Sequence, residues 1–373
     1  MSGEAELILN IFKVFGLSML AFFFAVTWTP LLTHYLYKYR LWRKDVRTTA
    51  PDGAGTPIFA SLHAGRETRV PRMGGLLIWM TLVVVALAFW ALAEFTDQPL
   101  FDKLTFLSRN QTWLPLFTLV AASLLGFTDD FLQVFRRGRY VAGGLEFRVR
   151  LGVVFLIALV GAYWFNVRLE QNAIYIPGIG DYVLPGIVSL AIPGIGDVTL
   201  GLAFIALFII TMFATFSTGV IDGLDGLSGG VFATIFAAYG GIAFFRGQID
   251  LAAFAGVLLG ALLAFLWFNI PPARFYMGET GILGLTTTLT VFAFLTNSVI
   301  VLPIIAFVPA MEAASVIIQL LSKRLRGKKV FLVAPLHHHF EAIGWPSYKV
   351  TMRFWVISFV FAIVGMLVAL IGR

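Results

Sequence analysis

The chain has 373 residues, 59% of them hydrophobic and only 13% charged, against about 25% charged in a soluble domain. With a mean hydropathy of +0.89, this excludes a soluble globular protein. The formal charge of +7 does not point to nucleic acid, because the basic residues gather in short loops beside apolar stretches, and the lack of cysteine excludes disulfides and thiolate metal sites.

Ten apolar stretches have the length a helix needs to cross the hydrocarbon core, roughly 17–30 residues. In chain order they are Leu7–Leu36, Gly74–Phe95, Trp113–Leu132, Val149–Phe165, Thr199–Ser217, Leu227–Phe245, Leu251–Phe268, Gly281–Thr296, Ser298–Leu321 and Thr351–Ile371. The acidic start MSGEAELILN has no basic n-region and no small-residue cleavage site, so the first stretch is expected to remain as a span. Basic residues fill the loop after span 1 (Lys38 to Arg72), the loop after span 3 (Arg136 to Arg150) and the loop after span 9 (Lys323 to Arg353), with Arg274 after span 7. The positive-inside rule makes these loops cytoplasmic and puts both termini outside.

The expected fold class is therefore an all-α polytopic membrane protein, one integral domain over residues 1–373 with about ten transmembrane helices. Residues 51–70 are polar with Gly and Pro, and predict a mobile cytoplasmic loop. Residues 167–198 carry IPGIGD twice, at Ile176–Asp181 and Ile192–Asp197, with β-prone runs between; a small periplasmic β-hairpin is predicted there.

The chemistry-bearing motifs all fall on the basic side. Asp129-Asp130 in GFTDDFLQV closes span 3. Adjacent acids in a partly dry site must split their titration or hold a cation. Asp222 and Asp225 in DGLDGLSGG precede span 6, so the run sits at a helix N-terminus, a natural anion site whose glycines admit a ligand close to the backbone. FNIPPARFYMGETG runs from span 7 to span 8 and contains Asn269, Tyr276 and Glu279. His337, His338 and His339 in APLHHHFE cannot all face one metal in regular structure, which favours a phosphate- or substrate-binding loop. Glu312 lies near the middle of span 9, where a carboxylate is either a proton relay or a hydrogen-bond partner for a neighbouring helix. Any one of these motifs alone could be a solvated turn. Together at one membrane edge they suggest a metal-assisted reaction on a phosphate at the lipid–water boundary.

GFTDDFLQV, DGLDGL, FNIPPARFYMGETG and PLHHHFE, in this order, resemble the polyprenyl-phosphate N-acetylhexosamine-1-phosphate transferase superfamily. Within it the chain resembles the MraY-type phospho-N-acetylmuramoyl-pentapeptide transferases. The likeness covers nearly the whole chain, and PLHHHFE followed by GWPSYKVTMRFW is its most specific part. It implies transfer of phospho-MurNAc-pentapeptide from UDP-MurNAc-pentapeptide to undecaprenyl phosphate at the inner membrane, with Mg²⁺ as cofactor and UMP and lipid I as products. It also implies contact with membrane lipids and a tendency to homodimerise. Carried over by position, Asp129, Asp130, Asp222 and His337 are catalytic. Asp225, Asn269, Tyr276, His338, His339 and Arg148 bind substrate, with Arg150 an alternative to Arg148. Glu279 and Asp222 hold the metal.

Four positions depart from the family pattern. Gln133 replaces the usual lysine after the aspartate pair, Gly219 an asparagine, and Glu279 the metal aspartate. The arginine of PRMGG (Arg72) looks like the N-acetylglucosamine branch. Two alternatives stay open at this point: a UDP-GlcNAc transferase using the same lipid, and a catalytically silent scaffold or transporter.

Overall fold

The computed structural model describes residues 3–44, 68–108, 110–137, 144–192 and 196–371. Most of the expected loop 51–70 therefore lies outside the described residues. The helices that matter for the site are α1 (Gly3–Lys38), α2 (Leu76–Phe95), α3 (Trp113–Phe135), α4 (Phe147–Arg168), α5 (Leu202–Ile221), α6 (Leu227–Phe245), α7 (Ile249–Asn269) and α8 (Glu279–Leu295). They are followed by α9 (Phe307–Arg326), the short α10 (Leu336–Ala342) and α11 (Ser347–Ile371). Among the described residues, eight helices are long and apolar enough to span, and a bent pair makes a possible ninth. Together with the shorter apolar α8 they fill the ten predicted stretches, and the protein is a multi-pass membrane protein.

Span 9 is not the single rod its hydropathy suggested. Val299–Ile305 and Phe307–Arg326 meet at 83°. Pro303 sits in the first turn of Leu302–Ile305, the α-helical end of the first piece, and Pro309 in the first turn of the second. Proline suits a helix start and cannot continue the ladder of a preceding turn, so the chain breaks between them. Hydropathy registers only apolar length and misses the angle.

The predicted hairpin is present, and there are two. β1 (Ala173–Ile176) pairs antiparallel with β2 (Gly180–Val183), and β3 (Ile187–Ile192) with β4 (Gly196–Gly201). The first IPGIGD copy provides the turn of its hairpin, with Ile176 paired to Gly180, and in the second copy Ile192 pairs with Gly196.

In lipid, apolar burial gives helices little reason to associate, so close backbone approach and polar contacts take over. Every residue from Thr280 to Leu295 in α8 is buried. Its main neighbour is α3. A Cβ at Gly126 of α3 would collide with the Glu279 carbonyl, and one at Gly284 of α8 would collide with the Ser123 hydroxyl. Gly75, just before α2, meets the Gly281 backbone in the same way. These small residues seat the α8 N-terminus against α3 one turn before Asp129-Asp130. The α3 helix runs on to Phe135, beyond the predicted end, so the aspartate pair is buried inside the helix and not at its frayed edge.

Candidate active site

The acidic motifs converge at one end of the helix bundle. Asp130 is fully buried. Its Oδ2 accepts from the Thr280 backbone N–H at 2.9 Å and the Thr280 hydroxyl at 2.8 Å, and its Oδ1 accepts from Arg72 Nε at 3.1 Å. Asp130 thus caps α8 from another helix, where a carboxylate satisfies an orphan N–H and meets the positive end of the dipole. Gly278, at φ 71°, packs directly on this carboxylate and leaves no room for a side chain.

Asp129 is also fully buried. The Leu145 N–H donates to its Oδ1 at 2.5 Å and Gln133 Nε2 to its Oδ2 at 2.7 Å. Arg150 Nη1 lies 3.7 Å from Asp129 Oδ2 and 3.4 Å from Glu279 Oε1. Arg150 and Glu279 keep some exposure, so they form the accessible front of a cluster whose aspartates lie behind. Of the two arginines left open by GLEFRVR, Arg150 joins the carboxylates, whereas Arg148 is exposed on the first turn of α4. The helical period makes them differ: residues two apart point to different sides.

Asp222 and Asp225 do not share a helix face. They lie in a turn between the 3₁₀ end of α5 and α6. Asp222 accepts from Ser228 Oγ at 2.8 Å and from the Gly278 N–H at 3.1 Å, which ties its turn to the Glu279 turn. Burial pushes the Asp222 carboxyl above the usual carboxylate range, and the Ser228 hydroxyl works against that. Asp225 is buried and accepts from the Ala273 N–H at 3.2 Å. Asn269 accepts from the Gly226 N–H at 2.9 Å and donates to the Phe275 carbonyl at 2.8 Å. Its amide clasps the two loops, so its effect on a nucleotide runs through their placement. Tyr276 is half-buried, and its backbone pairs with Pro71 and Gly74 of PRMGG at 2.8 Å each way.

The histidines reach the same place from the far end of the chain. His337 and His338 are buried with their rings against Gly223, where a Cβ would meet them. The His337 N–H donates to Glu312 Oε1 at 3.1 Å, and its Nδ1 lies 3.1 Å from Glu312 Oε2. His338 Nδ1 is 2.8 Å from Glu341 Oε2. His339 points elsewhere, accepting the Leu332 N–H at 3.2 Å on Nδ1. Glu312 is thus a hydrogen-bond partner, the anchor of the histidine loop. Glu312→Gln keeps an acceptor for the His337 N–H, while Glu312→Ala orphans it at about 1–3 kcal/mol. We expect the Ala variant to melt lower in detergent and the Gln variant to stay near wild type; equal melting would remove the anchor.

Three contributors escaped sequence reasoning. Thr280 lay inside FNIPPARFYMGETG without being singled out, and Arg43 counted only as loop charge. Arg72 was noted for its motif, not for contact with Asp130. A basic residue destined for burial carries no compositional mark that separates it from a topogenic one.

Among the described residues, no three acidic or histidine side chains converge as a ready cage. Mg²⁺ commonly takes only one or two carboxylates and completes its shell with water and substrate phosphates. Glu279 and Asp222 fit that mode: both are oxygen donors, neither is fully enclosed, and the Gly278 N–H on Asp222 makes their turns neighbours.

Residues 112–297 match the family model described as Glycosyl transferase family 4. A relative from Anoxybacillus flavithermus named phospho-N-acetylmuramoyl-pentapeptide-transferase is 33% identical over 347 residues, covering 93% of this chain and 94% of that one. One of the same name from Pelagibacter ubique is 32% identical over 383 residues, with 96% and 94% covered. Another, from Gluconacetobacter diazotrophicus, is 35% identical over 335 residues, with 84% and 83% covered. With identity of this order along nearly its whole length, the chain belongs to the phospho-N-acetylmuramoyl-pentapeptide transferase family.

Proposed function

We propose that the protein transfers phospho-MurNAc-pentapeptide from UDP-MurNAc-pentapeptide to undecaprenyl phosphate, at the cytoplasmic face of a bacterial inner membrane. An oxygen of the lipid phosphate bonds to the sugar-linked phosphorus, the bond from that phosphorus to UMP breaks, and lipid I and UMP result. The observation that carries this reading is the convergence of five loops on one acidic cluster lined by Arg72 and Arg150. Carboxylates alone would repel a diphosphate; interleaved guanidiniums give it fork-shaped donors.

Asp129, held at both oxygens, is placed to orient or deprotonate the incoming lipid phosphate. Arg72 and Arg150 receive the phosphates, where donors fixed in advance stabilise charge as it develops. His337 and His338, beside the Gly223 turn, add donors at the opposite wall. Asp222 and Glu279 would hold Mg²⁺, which when bound spreads the negative charge of the diphosphate. Asp225 and Asn269 keep the two loops in register. A site at the end of the helix bundle would let an insoluble lipid phosphate meet a soluble nucleotide, and holding both would supply much of the rate.

Purified protein with undecaprenyl phosphate, UDP-MurNAc-pentapeptide and Mg²⁺ is expected to release UMP, and to stop on addition of EDTA. UDP-GlcNAc in place of the first donor is expected to give none. Release with UDP-GlcNAc alone would move the protein to the sister branch suggested by PRMGG. Silence with both donors would favour the scaffold.

A further inference from the structure

We propose that Arg43 and Gln133 form a two-residue positioning device that brings a positive charge to bear on Asp129 through a neutral amide. The inference rests on the catalytic reading of Asp129 above. Arg43 and Gln133 are each 6% exposed and Asp129 is 0% exposed, so the three lie in a row away from water. Arg43 Nε donates to Gln133 Oε1 at 3.0 Å, and Nη2 donates to the same oxygen at 2.5 Å. The other end of the amide, Nε2, donates to Asp129 Oδ2 at 2.7 Å.

The orientation of this amide is forced. A guanidinium has donors only, so it must meet the oxygen of Gln133. The Gln133 nitrogen must then face the carboxylate. A cation on the amide oxygen draws electron density from the nitrogen and strengthens its N–H as a donor, and the effect is largest where water is excluded. Gly144 lies against both Gln133 and Asp129 with no space for a side chain, which holds the row from the loop side.

The two halves come from distant parts of the chain. Gln133 is one helical turn beyond Asp129 on α3, the spacing at which side chains meet. Arg43 follows α1, and the stretch that carries it is pinned to PRMGG by the Arg72 N–H donating to the Leu41 carbonyl at 2.8 Å. The same tether carries Arg72 to Asp130. Two stretches joined by this hydrogen bond thus deliver an arginine toward each aspartate of the pair, directly to Asp130 and through glutamine to Asp129. Asp129 has Arg150 at only 3.7 Å and near its accessible side. The Arg43 arm approaches from the interior, where incoming phosphates do not compete for it.

The test exchanges the two functions. Arg43→Met is expected to lower kcat about 10- to 100-fold, the range for a lost charge-assisted hydrogen bond. The KM for UDP-MurNAc-pentapeptide should stay within about twofold, because the nucleotide is held elsewhere. Arg43→Lys should recover part of the loss. Gln133→Lys alone sets an ammonium against the Arg43 guanidinium and should fall by a similar factor. Arg43→Met combined with Gln133→Lys leaves one cation beside Asp129 and should regain most of kcat. An unchanged kcat in Arg43→Met, or a folded double variant no better than the worse single, would overturn the device. A merely structural Arg43 would lower melting without splitting kcat from KM. If wild-type protein releases no UMP, the functional reading fails on its own. The row is then tested by a double-mutant cycle of Arg43→Met and Gln133→Leu on thermal unfolding, where additivity would remove the coupling.

Discussion

Asp130→Ala is expected to destabilise the protein by about 3–5 kcal/mol, the cost of removing one partner from a buried charged pair. The substitution deletes three hydrogen bonds at once: two from Thr280 and one from Arg72. It also opens the N-terminus of α8, the most enclosed helix near the site. Because Glu279 is the first residue of α8 and Gly278 packs on Asp130, the turn proposed to hold Mg²⁺ should lose its seat along with the cap. Activity should vanish together with melting temperature. Asp130→Asn should be milder: its side-chain oxygen can still take Thr280, while the charge facing Arg72 is gone. Thermal unfolding in detergent checks the order wild type, Asn, Ala. An Ala variant melting within about 2 °C of wild type, less than 1 kcal/mol shifts a chain this size, would show that α8 is capped by something other than Asp130.

That prediction depends on a contact between residues 150 positions apart, which marks where sequence reasoning stops. Apolar length and loop charge were enough to place the spans, because lipid imposes both rules on every helix separately. The motifs were legible because adjacent acids, Gly-rich turns and three histidines are rare beside apolar stretches. Their grouping on one side followed from Lys and Arg alone. Partnership was not legible. Nothing in GFTDDFLQV says that Asp130 turns to Thr280 while Asp129 turns to Leu145. Asp222 and Asp225 stand three apart, a spacing that would share one face only in a helix, yet the turn sends one to Ser228 and the other to Ala273. Arg148 and Arg150 were equivalent as charges; only the rotation of α4 separates them. The break at Ala306 needed the positions of two prolines, which an averaged hydropathy window smooths away. Gln133 reads in the sequence as a lost charge. In the fold the charge is supplied from residue 43.

Asp129→Asn is expected to lower kcat by roughly 10²- to 10⁴-fold, the range for removing a positioned acid–base group. The change is not isosteric in its hydrogen bonding. Asp129 accepts at both oxygens, from the Leu145 N–H and from Gln133 Nε2. An asparagine must turn its NH₂ toward one of these donors. Gln133 cannot answer by flipping, because its oxygen is held by Arg43. Some loss of stability should therefore accompany the loss of rate, and the two must be told apart. The KM for the nucleotide does so: a loosened site should raise it, while loss of the group acting on the lipid phosphate should not. Asp129→Glu offers the complementary case, with the charge kept and the carboxylate displaced by one methylene. If Asn loses rate at constant KM, and Glu recovers part of it in spite of the crowding at Gly144, the charge of Asp129 is what the reaction uses. If Asn retains full kcat, Asp129 is a clasp for the Leu145 loop, and the group that acts on the lipid phosphate must be sought among Asp222, Glu279 and His337.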